Sequence, residues 1–178
     1  MRAAAREELI HDNVLTSLGA RPSTRTIYVP NVYLQNSTNL LTALEIGDQI
    51  FVNAYPLATT VFANRTRVRA GTRGRLARIA SEFCGVEAVH PAVARQSLGK
   101  LGNDRVFLRY SQSEDARPLI AANPNRAGFR RISSAVSQLQ RAGVGFGRES
   151  TMPGTRFDFD TVRRDTPDDQ ELSTRTPR

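Results

Sequence analysis

At 178 residues, 39% of them hydrophobic, the chain is long enough for one domain with flanking segments and too short for a large multidomain assembly. No run approaches the roughly 20 apolar residues of a membrane-spanning helix, and the single cysteine, Cys84, excludes an intramolecular disulfide. Twenty-four Arg and one Lys against 17 acids leave a formal net charge of +8, which points to a polyanionic partner and away from a membrane interior.

The opening Met1-Arg2-Ala3, followed by Arg6, Glu7 and Glu8, lacks the apolar stretch of a secretory signal, so a cytoplasmic or virion location is expected. Ile10, Val14, Leu15 and Leu18 recur at helical spacing, with Gly19 and Pro22 as stop signals, predicting an N-terminal helix. Residues 25–33 are β-branched and aromatic with Pro30 interrupting, and read as an edge strand or extended arm. The contiguous Ile50-Phe51-Val52 predicts a buried strand over 49–55, and the β-branched stretch 59–68 predicts another.

After Gly71-Thr72-Arg73-Gly74, the residues Leu76, Ile79, Ala80 and Phe83 mark one face of an amphipathic helix that Gly85 is expected to end. Strands follow at 86–89 and 105–110, on either side of an ambiguous segment at 91–101. A second helix opens near Asn123-Pro124-Asn125, carries Phe129, Ile132, Val136 and Leu139, and closes at Gly143. The predicted class is α+β: a small mixed or largely antiparallel sheet, two principal amphipathic helices and extended terminal arms. The predicted organisation is an N-terminal helix or arm over 1–24, one core domain over 25–147 and an extended polar C-terminal tail over 148–178.

Six arginines, Arg65, Arg67, Arg69, Arg73, Arg75 and Arg78, stand within 14 residues without an acid among them. If 65–69 is extended, period-two alternation puts its three arginines on one face, and Arg75 and Arg78 share a side of the helix that follows. Such a stripe suits phosphates, whose neutralisation releases counterions and makes binding salt-dependent. Gly71, Thr72, Arg73 and Gly74 sit at the expected helix start, where unpaired N–H groups and the positive helix end favour an anion. Arg126, Arg130, Arg131 and Arg141 extend the basic character around the second helix, and a GC-rich genome would produce the same preference for Arg over Lys.

The stretch 71–89, with its Gly71-x-x-Gly74 loop, helix, Gly85 and strand, resembles a KH-domain core. That resemblance implies RNA binding, with Gly71, Thr72, Arg73 and Gly74 against the nucleotide backbone. A competing resemblance joins residues 27–52 and 86–108. In each, a turn (Gly47-Asp48; Gly102-Asn103-Asp104) precedes a β-branched residue, Phe and an aliphatic one, similar to the duplicated halves of double-psi β-barrels, including adaptor-binding domains of AAA+ ATPases.

Signals for catalysis are weaker. His11 and His90 stand in unrelated contexts, and with one Cys they supply no zinc-like spacing, so no metal or other cofactor is expected. Cys84, far from a helix N-terminus, reads as a structural thiol. No G-x-S-x-G elbow, Walker loop or dinucleotide fingerprint occurs. Tyr28, Tyr33, Tyr55 and Tyr110 read as packing residues, and Asp158 and Asp160, alternating with Phe157 and Phe159, as part of an anchored arm. The expected function is non-enzymatic binding of nucleic-acid phosphate backbone, RNA before DNA. Two alternatives are a structural component of a virion or other large assembly, contacting neighbouring subunits, and a double-psi-barrel adaptor.

Overall fold

A computed structural model describes residues 2–102, 129 and 131–168. The chain divides into two compact units, Met1–Pro30 with Val144–Arg178, and Asn31–Gly143. The class is α+β: a three-stranded antiparallel sheet belongs to the first unit and a pair of long packed helices to the second. Residues 25–147, expected as one core, are therefore shared between the two units.

In the first unit, α1 (Arg2–Ser17) ends where Gly19 takes up a φ of 87°, a left-handed conformation that glycine adopts without a Cβ penalty. The central strand is β1 (Thr26–Pro30), antiparallel to β2 (Gly145–Phe146) on one side and β3 (Gly154–Asp158) on the other. β1 is thus not an edge strand. Pro30 is tolerated because it is the last residue, opposite Gly154, where no further ladder donor is needed. Gly145 pairs with Tyr28, and a Cβ there would lie 2.2 Å from the Arg148 carbonyl oxygen, so packing admits only glycine.

Residues 154–165, expected as polar tail, instead form β3 and α5 (Phe159–Asp165). Backbone pairing with a strand more than 120 positions earlier, rather than an apolar face of its own, orders this segment. The Asp158 side chain caps α5 by accepting from the Asp160 N–H at 3.1 Å. Asp160 pairs with Arg25, whose guanidinium also lies over the Phe159 ring at 4.5 Å. Arg163 donates to Asn13 at 3.0 Å, tying α5 to α1. Both carboxylates of the 158–160 pair thus serve the fold.

The second unit is built on α2 (Ser37–Ala63) and α3 (Ala70–Ser97), packed antiparallel so that Glu45 meets Arg95 and Thr59 meets Ser81. Asn36 caps α2, accepting from the Asn39 N–H at 2.8 Å. The strands expected at 49–55, 59–68 and 86–89 are corrected: 49–63 and 86–89 are helical, and 64–69 is the turn between the helices. The run at 50–52 is contiguous because α2 is buried on several faces at its middle, where Gln49, Ile50, Val52, Asn53 and Ala54 are all enclosed. A short apolar run does not separate a buried strand from a buried helix; only length does.

Pro56 lies inside α2 and removes the N–H that would bond the Val52 carbonyl. The Cys84 thiol of α3 donates weakly to that oxygen at 3.8 Å. Gly85 does not end the helix, which runs on to Ser97 through a buried Pro91. The described part of the second expected helix is α4 (Ser133–Arg141), where Leu139 and Phe129 pack against Ile50, Ala54 and Ala135. The predicted strand at 105–110 and the start of that helix lie outside the described residues. Among the described residues no helix is long and apolar enough to cross a membrane.

Candidate nucleic-acid interface

The six arginines gather at the closed end of the α2–α3 hairpin. α2 stops at Asn64, and the chain turns through Arg65, whose carbonyl accepts from the Val68 N–H at 3.1 Å, before Arg69 opens α3. This turn replaces the extended segment expected at 65–69, so Arg65, Arg67 and Arg69 do not alternate on one strand face. They surround the hairpin end, and all three are exposed.

On α3, Arg75 and Arg78 lie three residues apart on the exposed side, opposite the buried Ala80 and Phe83. Arg73 is half-buried on the flank. Arg78 pairs with Glu82 at 3.4 Å, and among the described residues no carboxylate lies within ion-pair distance of the other five. α3 has no acidic residue in its first turn, and no side chain caps it. Its first intrahelical bond runs from the Arg73 N–H to the Arg69 carbonyl at 3.0 Å, so the N–H groups of Ala70, Gly71 and Thr72 have no acceptor within the helix.

Gly71, Thr72, Arg73 and Gly74 accordingly belong to the first turns of a 28-residue helix rather than to a loop. A Cβ at Gly71 or Gly74 would meet nothing within 4 Å, so the protein's own packing does not require these glycines and the helix end is open to close approach. Residues 49–52 and 86–89 are helical, and the second turn and run of the double-psi comparison, from Asn103 on, lie outside the described residues. Arg131 and Arg141 are exposed in the same unit, whereas Arg126 and Arg130 lie outside the described residues.

Tyr33 and Tyr55 are engaged in contacts within their own unit. Tyr33 donates to the Ala142 carbonyl at 2.9 Å, and Tyr55 stands edge-on to Phe83 with ring centroids 5.6 Å apart. Tyr28 is half-buried in β1, and Tyr110 is outside the described residues.

A second polar feature runs between the hairpin helices and was not foreseen. Arg95 donates to Glu45 at 2.5 Å and to the Leu101 carbonyl at 2.9 Å, and Lys100 reaches the other Glu45 oxygen at 2.6 Å. Further along α2, Gln49 donates to Asn53 at 3.2 Å, both buried. The buried Glu87 lies on α3, three residues before His90. The signal available in the sequence was the repeated Glu-x-x-His at 8–11 and 87–90, which places both histidines in one kind of setting rather than in unrelated ones.

Burial first, and the nearby Glu87 charge second, raise the Cys84 thiol above its ordinary range. Cys84 is therefore expected to alkylate slowly at neutral pH, with a rate profile displaced to higher pH than that of a free thiol. Glu87→Gln should move it part of the way back, and a profile matching that of a free thiol would contradict this reading. Because the folded state holds the proton more tightly, the associated stability is full below the unfolded thiol's range and is lost as pH rises through the folded value.

Comparison with family models, with curated proteins and with solved structures finds no match to this chain.

Proposed function

We propose that this chain is a non-enzymatic binder of nucleic-acid phosphate backbone, held at the arginine-rich closed end of the α2–α3 hairpin. The observation that carries this reading is the concentration of six arginines around an uncapped helix N-terminus, five of them without a carboxylate at ion-pair distance among the described residues. A cation cluster that the protein does not neutralise raises the local concentration of polyanions, and the N–H groups of the first α3 turn add fixed donors for phosphate oxygens. Guanidinium groups suit this task because they bind phosphate in a bidentate fork. Contacts of this kind fix position rather than read bases, so little sequence preference is expected, and RNA is the first probe to use.

A structural subunit of a larger assembly is the second reading. Val89 and Val93, 58% and 53% exposed on α3, favour it because they present apolar surface outside the hairpin core. Size exclusion with light scattering, run on nuclease-treated and untreated protein at low and high salt, separates the two. Copurifying nucleic acid that is released by nuclease or salt supports backbone binding. A large, salt-resistant oligomer free of nucleic acid overturns it in favour of the assembly role.

A further inference from the structure

A hydroxyl stands in the middle of the arginine run. Thr72 has Arg65, Arg67 and Arg69 before it and Arg73, Arg75 and Arg78 after it, and its side chain is exposed. Elsewhere in the hairpin the hydroxyls of Thr42, Thr59, Thr60 and Ser81 donate to the carbonyl four residues earlier, at 2.8–3.2 Å. Four residues before Thr72 is Val68, in the turn, and among the described residues the Thr72 hydroxyl has no hydrogen-bond partner. Thr66, the other hydroxyl of the run, has one of its arginines before it instead of three.

A phosphoryl group on Thr72 brings a charge of about −1.5 to −2 and three strong acceptor oxygens into the cluster. The six guanidinium groups carry +6 with no acid among them, so the net charge of residues 65–78 falls to about +4. Arginines that pair with an internal phosphate are no longer open to an external one.

We propose that Thr72 is a phosphorylation site and that its phosphate turns off backbone binding at the hairpin end. This inference rests on the phosphate-backbone reading of the same arginines. In the step, Thr72 Oγ1 attacks the γ-phosphorus of a nucleoside triphosphate, the bond to the β-phosphate oxygen breaks and the nucleoside diphosphate leaves, while the hydroxyl proton passes to a carboxylate base of the kinase. The enzyme that fits is a serine/threonine kinase with an acidic substrate groove, because arginines stand three, five and seven positions before the acceptor. The start of α3 opens readily to such a groove, since no side chain caps it and Gly71 and Gly74 weaken its first turns.

The test treats the native chain with ATP and the catalytic subunit of the cAMP-dependent protein kinase, maps the phosphate by mass spectrometry and measures RNA affinity before and after by fluorescence anisotropy. Phosphate on Thr72 is expected, with an affinity loss of about tenfold at roughly 0.1 M salt, a salt slope reduced from about −4 to about −3, and unchanged helical circular dichroism. In Thr72→Val the same treatment should leave the affinity where it stood before treatment, and an equal loss there overturns the proposal. Phosphate on Thr66 or another hydroxyl but not on Thr72 overturns the site. A Thr72-phosphorylated chain that binds as tightly as the unmodified one overturns the switch alone, whereas an unmodified chain that does not bind RNA overturns the backbone-binding reading and the switch with it.

Discussion

Replacing Arg73, Arg75 and Arg78 together with Glu is expected to weaken RNA binding by about a hundredfold or more at roughly 0.1 M salt, without unfolding the chain. The substitution removes three cations and puts three anions in their place, which cancels the charge left on Arg65, Arg67 and Arg69. Folding should survive because Arg75 and Arg78 are exposed and Arg73 is half-buried on the flank of α3. Carboxylates in the first turns of a helix interact favourably with its dipole, which offsets the loss of the Arg78–Glu82 pair, so the melting temperature should change little. Fluorescence anisotropy with a labelled oligonucleotide, alongside circular dichroism, gives both quantities. Native-like affinity in a folded triple variant would remove the hairpin end as the binding site.

Replacing Glu45 with Ala is expected to cost about 3–5 kcal/mol of stability, because it takes the Glu45 carboxylate away from the buried guanidinium of Arg95. The Glu45 and Arg95 side chains are 13% and 11% exposed, and one carboxylate serves both Arg95 and Lys100. Lys100, nearly half exposed, can return to water, but Arg95 is held among α2, α3 and the Leu101 carbonyl. A loss of that size is a large share of the 5–15 kcal/mol that holds a typical domain together. Leucine at both 45 and 95 should recover most of it, since a packed apolar pair avoids the desolvation cost. Urea denaturation of the two variants measures the difference, and a Glu45→Ala loss below about 1 kcal/mol would show that the pair is solvated rather than buried.

The legibility of this chain follows from what each element depends on. α1 was readable because its apolar spacing and its Gly19 stop are local signals, and the amphipathic face at Leu76, Ile79, Ala80 and Phe83 correctly marked part of α3. The length of α3 was hidden by Gly85 and Pro91, both ordinarily taken as helix breakers. Gly85 costs only a modest propensity penalty, and packing against α2 outweighs both breakers. α2 was misread because its middle is enclosed on several faces, which erases the amphipathic periodicity and leaves β-branched and aromatic runs that imitate strands.

β3 was missed for the opposite reason. Gly154-Thr155-Arg156-Phe157-Asp158 has little apolar character of its own and is ordered by β1, a partner distant in sequence. The arginine cluster was fully legible as composition, but its geometry depended on whether residues 65–69 were strand or turn. As a turn, they concentrate the charge at one end of a helical hairpin rather than spreading it along a sheet. The carboxylate–imidazole pairs were legible too, as a repeated spacing, once both histidines are placed on helices.

The most direct measurement is the affinity for a single-stranded RNA homopolymer as a function of salt. If all six arginines contact phosphates, the logarithm of the binding constant should fall against the logarithm of salt concentration with a slope of about −4, from roughly 0.7 per phosphate on a single strand. The Arg73, Arg75 and Arg78 charge reversal should flatten it. A slope near zero, or no binding at low salt, would contradict phosphate recognition by the hairpin end.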